Sequence, residues 1–235
     1  MGSIMIFAAI LAGGIGNRLN VGIPKQFYKI NEKPLLYYCI SQFLKVENID
    51  KIIVSSPKDY LNETRNLVND YFDDKKLVVI EGGKTRNDTI LNSIDYAMKN
   101  GADEDSIMIT HDGARIFVSP KLIEESIVYA REYGAASPAI PATDVIFQTK
   151  EAGKLMDIPE RKYLCHAQTP QSFKIGEFIK IYDDLTDDEI KLLDEVMMLF
   201  YLRKKEVYLF EGDSSNFKIT RPFDIKIAES ILNDK

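Results

Sequence analysis

Cysteine and histidine are scarce in this chain, with two of each among 235 residues. Cys39 and Cys165 lie far apart and show no Cys-x-x-Cys spacing, so neither a metal site nor a redox pair is indicated and both read as reduced bystanders. His111 and His166 are too few for a metal centre. Positive charge is also short: 30 Lys and Arg stand against 36 Asp and Glu, a net charge of −6 and a pI near 5.1. A protein that binds nucleic acid or an anionic membrane needs a summed positive field, so neither partner is expected and any anion must be met by local charges. No apolar run approaches the roughly 20 residues that span a bilayer, and the start lacks a basic segment ahead of an apolar one. A cytoplasmic protein is expected. Internal repeats and low-complexity linkers are absent. Met1–Ile4, ahead of Met5, reads as a remnant of expression, so a single domain is expected over 5–235.

What is present is an alternation of β-branched runs with segments of helical period, the pattern of a mostly parallel sheet covered by helices on both faces. The runs 5–11, 51–56, 76–82 and 106–112 predict four central strands, and 135–142 and 207–212 extend the sheet. Helices are predicted over 34–46, with Pro34 at the first helical position, and over 58–72, 87–100, 119–133 and 221–232. The acidic run from Asp183 to Glu189 suits helix N-termini. The stretch from Asp144 to Gln168 breaks the rhythm with two strand-like pieces around Glu151-Ala152-Gly153. It can be a hairpin folded onto its own domain or an arm reaching a second copy, and spacing alone does not choose between them.

The first strand runs into LAGGIGNRLNVGIPKQF, residues 11–27. Glycine between a strand and a helix lets successive backbone N–H groups approach one anion. A P-loop would need GxxxxGK and then Ser or Thr, which is missing. A dinucleotide fingerprint would need a third glycine where Leu19 stands, and an acidic residue at the end of the second strand, which instead reads Val54-Ser55-Ser56-Pro57. What remains is GGxGxR followed by Pro24-Lys25. Arg18 offers a planar fork and Lys25 a point charge, the complement of a triphosphate whose pyrophosphate departs.

Here the chain resembles the cytidylyltransferases that activate sugar-alcohol phosphates, the family of the methylerythritol-phosphate and ribitol-phosphate enzymes. The resemblance runs from Met5 through nearly the whole chain, on LAGGIGNR, PKQF, EGGKTRNDT, THDGAR, DIPER, QTPQSF and NFKITRP in that order. The wording ILAGG, SSPK, TDVI and QTPQSF is closer to the ribitol-phosphate branch. The resemblance implies a Rossmann-like α/β fold, a homodimer with a β-arm at about 144–168 crossing between subunits, Mg²⁺, and transfer of CMP from CTP to a polyol phosphate, most simply D-ribitol 5-phosphate. The product would be CDP-ribitol for a bacterial surface polymer such as teichoic acid. It further implies Ala12, Gly13, Gly14 and Gly16 as a triphosphate cradle, and Arg18, Lys25 and Lys218 as catalytic cations. Gly82, Gly83, Arg86 and Thr89 would form the cytosine and ribose pocket. Asp112 would hold Mg²⁺ or the polyol, Arg115 the polyol phosphate side, and Arg161 the substrate phosphate of the neighbouring subunit. His111 is assigned a structural place, since neighbours on a strand point to opposite faces.

Some positions depart from the family pattern: Val145 after Asp144, Leu193 before Asp194, Ser215 for Asp, and Ile116 after GAR. Lost hydroxyls weigh on the acceptor and not on the nucleotide, because a site that hydrogen-bonds a hydroxyl discriminates strongly. The alternative acceptor is 2-C-methyl-D-erythritol 4-phosphate of isoprenoid synthesis. More distant alternatives are a nicotinamide oxidoreductase and an inactive CTP-binding module.

Overall fold

A computed structural model describes residues 4–13, 23–151, 153–193 and 195–234. The expected Gly14, Gly16 and Arg18 lie outside the described residues, as do Ala152 and Asp194.

The central strands are β1 (Ile6–Leu11), then, after the small hairpin β2 (Lys29–Ile30) and β3 (Lys33–Pro34), β4 (Lys51–Ser56), β5 (Leu77–Glu81) and β6 (Ile107–Asp112). They match the predicted runs to within a residue. β7 (Ala135–Pro141), β8 (Cys165–Ala167), β9 (Gln171–Lys174) and β10 (Tyr208–Glu211) complete the sheet, whose order is β10-β7-β9-β6-β1-β4-β5 with β8 on β7. β1, β4, β5 and β6 are parallel, whereas β9 runs antiparallel between β6 and β7. Sequence reading took QTPQSF as a motif and not as a strand. Only its pairing with β6 and β7 makes this polar four-residue piece extended.

Both faces of the sheet are apolar because both are covered. Along β1, Ile6, Ala8 and Ile10 join one core with Ile52, Val54, Ile107 and Ile109, while Phe7 and Ala9 join the other with Ile53 and Met108. The first core is closed by α1 (Leu35–Phe43) through Leu36, Ile40 and Phe43, by Leu67 and Val68 of α2 (Leu61–Tyr71), and by Leu122 and Ile127 of α4 (Pro120–Tyr133). The second is closed by α3 (Arg86–Lys99), α5 (Ile175–Asp183) and α7 (Val196–Leu202), through Ile90, Phe178 and Phe200. A smaller cluster of Ile30, Leu35, Ile116, Ile219 and Ile225 seats the last helix, α8 (Pro222–Asn233). No helix among the described residues is long and apolar enough to cross a membrane.

Helix ends follow local chemistry. Thr85 and Asp88 form a reciprocal capping box on α3, and Ser119 caps α4 ahead of Pro120. α6 (Asp187–Leu192) begins with the same device, Thr186 and Glu189, as the acidic run suggested. Pro34 corrects one expectation. Its ψ of 152° is extended, because it ends β3 opposite Lys29, so it precedes the helix and does not open it. The predicted two-stranded arm is also thinner than expected. Among the described residues between 144 and 164 the strand pairing is a single bridge, Gln148 with Asp157, while Cys165–Ala167 belongs to the main sheet. Val145, Phe147, Leu155, Met156, Ile158 and Tyr163 are each half exposed or more, so the chain itself supplies no apolar surface to fix two strands in register.

Candidate active site

β1 pairs with β4 on one side and β6 on the other, so the chain leaves the sheet in opposite directions at their carboxyl ends. Open α/β sheets bind ligands in that crevice. There, Asp112 ends β6 and stands between two clefts. The first, about 270 Å³, is lined by Leu11, Gly13, Lys25, Gly83, Lys84, Thr85, Arg86, Thr89, Asp112, Gly113, Ala114 and Lys218. The second, about 180 Å³, is lined by Arg86, Asp112, Arg115, Ala167, Gln168, Thr169, Gln171, Glu195 and Lys218. Lys218, Arg86 and Asp112 face both.

Three cations converge on the one carboxylate. Arg86 Nη1 donates to Asp112 Oδ1 at 2.8 Å, Lys218 Nζ lies 2.9 Å from Oδ2, and Arg115 Nε lies 3.5 Å from Oδ2. Burial alone would push the Asp112 carboxyl upward, but Arg86, Lys218 and Arg115 together hold it far below the usual carboxylate range. Burial draws the Arg115 guanidinium down from its ordinary value, opposed by Asp112. Three cations on one carboxylate leave the cluster net positive.

His111 holds this cluster from behind. It is fully buried against the Phe43 ring, with Nδ1 at 3.0 Å from Thr169 Oγ1 and Nε2 at 3.0 Å from the Arg115 carbonyl. A carbonyl can only accept, so the proton sits on Nε2 and the Thr169 hydroxyl donates to Nδ1. Thr169 Oγ1 in turn accepts from the Asp112 N–H at 3.1 Å. Burial lowers the imidazole pKa to about 4, so the ring is neutral at pH 7. The structural place expected for His111 is the one observed.

The cradle residues divide. Gly13 lines the first cleft, and a Cβ there would meet nothing within 4 Å. Ala12 does not: its N–H is bound to the Ser55 carbonyl at 2.9 Å, and its side chain joins the core. Gly82 likewise gives its N–H to Ser56 O at 2.7 Å. Gly83 and Thr89 line the cleft, yet Thr89 Oγ1 accepts from Gly83 N–H and donates to Thr85 O. Gly83 has no room for a side chain, since a Cβ would lie 2.0 Å from Asp88 Cβ. Packing on α3 requires that glycine, independent of any ligand. Arg161 lines neither cleft; it is exposed and donates to the Thr143 carbonyl at 2.9 Å.

Reading the sequence passed over Thr169, Gln168, Gln171 and Glu195, whose only signal was membership of QTPQSF or proximity to Asp194. As for Mg²⁺, Asp112 is the one ligand the sequence offered, and its oxygens already receive Arg86 and Lys218. No group of three His, Cys, Asp or Glu among the described residues could hold a metal. Mg²⁺ is usually held by one or two carboxylates together with substrate phosphates, and Asp112 would first have to release a cation. As arranged, these residues do not fit a protein-held ion.

The sequence model of the family described as 2-C-methyl-D-erythritol 4-phosphate cytidylyltransferase matches residues 6–234. The chain belongs to this family. Members of the cytidylyltransferase family are CTP-dependent nucleotidyltransferases, and this chain is one of them. Among solved structures, the 2-C-methyl-D-erythritol 4-phosphate cytidylyltransferase of Francisella tularensis is 25% identical, with a TM-score of 0.81 over 96% of this chain and 99% of that one. The 4-diphosphocytidyl-2C-methyl-D-erythritol synthase of Anaerococcus prevotii shares 24% identity and a TM-score of 0.80, over 98% and 96% of the two chains. The Thermus thermophilus cytidylyltransferase gives 22% and 0.72, over 98% of each. These last two show the common cytidylyltransferase fold.

Proposed function

We propose that this cytidylyltransferase moves CMP from CTP to a polyol phosphate across Asp112, with the triphosphate in the cleft lined by Gly13, Lys25 and Arg86 and the acceptor in the cleft lined by Arg115 and Thr169. The observation that carries the reading is one carboxylate gathering three cations at the wall shared by both clefts. An acceptor phosphate oxygen attacks the α-phosphorus, the bond to the bridging oxygen breaks, and pyrophosphate leaves with its electrons. Little covalent chemistry is asked of the protein, so catalysis is positioning and charge. Lys218, on Asp112 and facing both clefts, meets the charge that develops at the reacting phosphate. Lys25 and Arg18 belong to the departing pyrophosphate. Mg²⁺, in this reading, comes with the CTP phosphates.

For the acceptor, the family description and the named relatives favour 2-C-methyl-D-erythritol 4-phosphate over the ribitol 5-phosphate first expected. Ribitol phosphate keeps one specific support: the wording of QTPQSF and TDVI, with Val145 and Leu193 in place of hydroxyl residues. A nicotinamide cofactor has none. The arm reads as a dimer contact, since its apolar side chains are exposed and Arg161 stands away from its own chain's clefts.

The test is pyrophosphate release from CTP with each acceptor in turn. Release with methylerythritol phosphate alone supports isoprenoid synthesis, and release with ribitol phosphate alone restores the surface-polymer reading. Release with neither overturns the polyol-phosphate assignment.

A further inference from the structure

Lys218 is carried on a strap, residues 212–220, that has no regular secondary structure. Something must hold its ammonium at Asp112. Beyond the buried anchor of Ile219, whose N–H donates to Ala114 O at 2.9 Å, and the Gly212 N–H, which donates to Ala139 O at 2.9 Å, the strap's start is gripped by a side chain. Gln168, 3% exposed, receives the Asp213 N–H on Oε1 at 3.1 Å and returns Nε2–H to the Asp213 carbonyl at 2.8 Å. Its backbone is fixed to β7 by a bond from its N–H to Pro138 O at 2.9 Å. The amide thus pairs with both backbone groups of a residue just beyond β10, as a further strand residue would, sharing the Asp213 carbonyl with the Asn216 N–H at 2.9 Å. Gly212 is shaped around it, because a Cβ there would lie 2.5 Å from Gln168 Oε1. Asn216 repeats the grip, donating from Nδ2 to Thr169 O at 2.8 Å and receiving Arg115 Nη1 on its carbonyl at 2.8 Å.

We infer that Gln168 is a positioning residue for the transfer step: its amide clamps Asp213 so that the strap delivers Lys218 to the boundary of the two clefts. The inference rests on the role proposed for Lys218. Gln168 touches no reacting atom in this scheme; it acts through the strap. Removing both polar ends leaves the Asp213 N–H without its partner and the Asp213 C=O to the Asn216 N–H, 2.9 Å away, and so loosens the strap from β7; displacements near 1 Å can cost up to about a hundredfold in rate.

The experiment is a double-mutant cycle on the full chain with Gln168→Met and Lys218→Ala, measuring kcat, the KM for CTP, and the melting temperature. Gln168→Met is expected to lower kcat about tenfold while leaving the KM for CTP within about twofold. Placed on Lys218→Ala, the same change should cost less than about twofold, because the group it positions is already gone. Gly212→Ala, which crowds the amide without removing it, should lower kcat in the same direction and keeps the test open if Gln168→Met fails to fold. Full kcat in Gln168→Met, or in Gly212→Ala should the other variant not fold, overturns the clamp. So does a loss that is fully additive with Lys218→Ala. If Lys218→Ala itself keeps normal turnover, the proposed role of Lys218 fails, and the clamp with it; if that variant is impaired and Gln168→Met is not, the clamp alone fails.

Discussion

The carboxylate cluster and the segment from 143 to 164 are both candidate parts of one site, yet they are built in opposite ways. Asp112 is buried and held by Arg86, Arg115, Lys218 and the Thr169–His111 relay, all from its own chain. Arg161 sits among exposed apolar side chains, and among the described residues its guanidinium donates to the Thr143 carbonyl. A group over-determined by its own fold works as soon as the chain is folded. A group with exposed apolar neighbours that lines neither of the two clefts is placed to meet a second surface. The contrast divides the site into a half that a single chain completes and a half that the proposed dimer would complete.

The largest effects should come from the two cations on either side of that division. Lys218→Ala and Arg161→Ala should each lower turnover about a hundredfold, as for loss of a charge donor at a transition state. If Arg161 serves a neighbouring subunit, mixing the two inactive variants after unfolding and refolding together restores some of the activity, since one site of each mixed dimer then has both groups. No recovery on mixing would place Arg161 in its own chain's site or outside the chemistry.

Next in size is Asp112→Ala. It leaves Arg115, with its side chain only 13% exposed, buried and uncompensated, and should cost roughly 3 kcal/mol of stability in denaturant unfolding. A variant as stable as the parent would show that the cluster is not held by its carboxylate. No comparable cost is expected from Arg161→Ala, whose exposed side chain donates to the Thr143 carbonyl.

Acid titration sharpens the comparison further. The folded His111 pKa, about 4, lies below the 6.5 of an ordinary histidine. The unfolded chain therefore binds a proton first as pH falls, and stability should drop between about 6.5 and 4, by roughly 3 kcal/mol when complete. The depressed Asp112 carboxyl adds its own loss from the ordinary carboxylate range downward, because the unfolded chain takes up that proton first. His111→Asn should flatten the upper part of the curve; an unchanged slope there would remove His111 as its source. The smallest contrast is thiol reactivity. Exposed Cys165 should label in the native state, whereas Cys39, buried in α1 with its thiol pushed well above the usual range by burial, should label only on unfolding.

Much of this was legible in the residues. β1, β4, β5 and β6 announce themselves because a strand buried on both faces is a continuous β-branched run, and Asp112 and Lys25 stand at its turns. The polar, four-residue β9 carries no such periodicity, and its place between β6 and β7 came from pairing alone. Thr169, Gln168 and Glu195 were missed for the same reason: each acts through contacts with residues 40 or more positions away or through one helix cap. The glycines misled in a specific way. Ala12 was expected in a triphosphate cradle and Gly82 and Gly83 in a cytosine and ribose pocket, but their N–H groups are bound to Ser55, Ser56 and Thr89 within the fold.

The sequence by itself determined the layered α/β sheet, the helices that cover it, the family, and the type of group transferred, because these follow from hydrophobic period and from ordered local motifs. Tertiary structure alone decided that one aspartate would gather Arg86, Arg115 and Lys218 from three separate segments, and that a glutamine beside β7 would grip the strap bearing the lysine. Charge and hydrogen-bond partners act through space, and a linear pattern carries no record of which distant residues folding brings within 3 Å of each other.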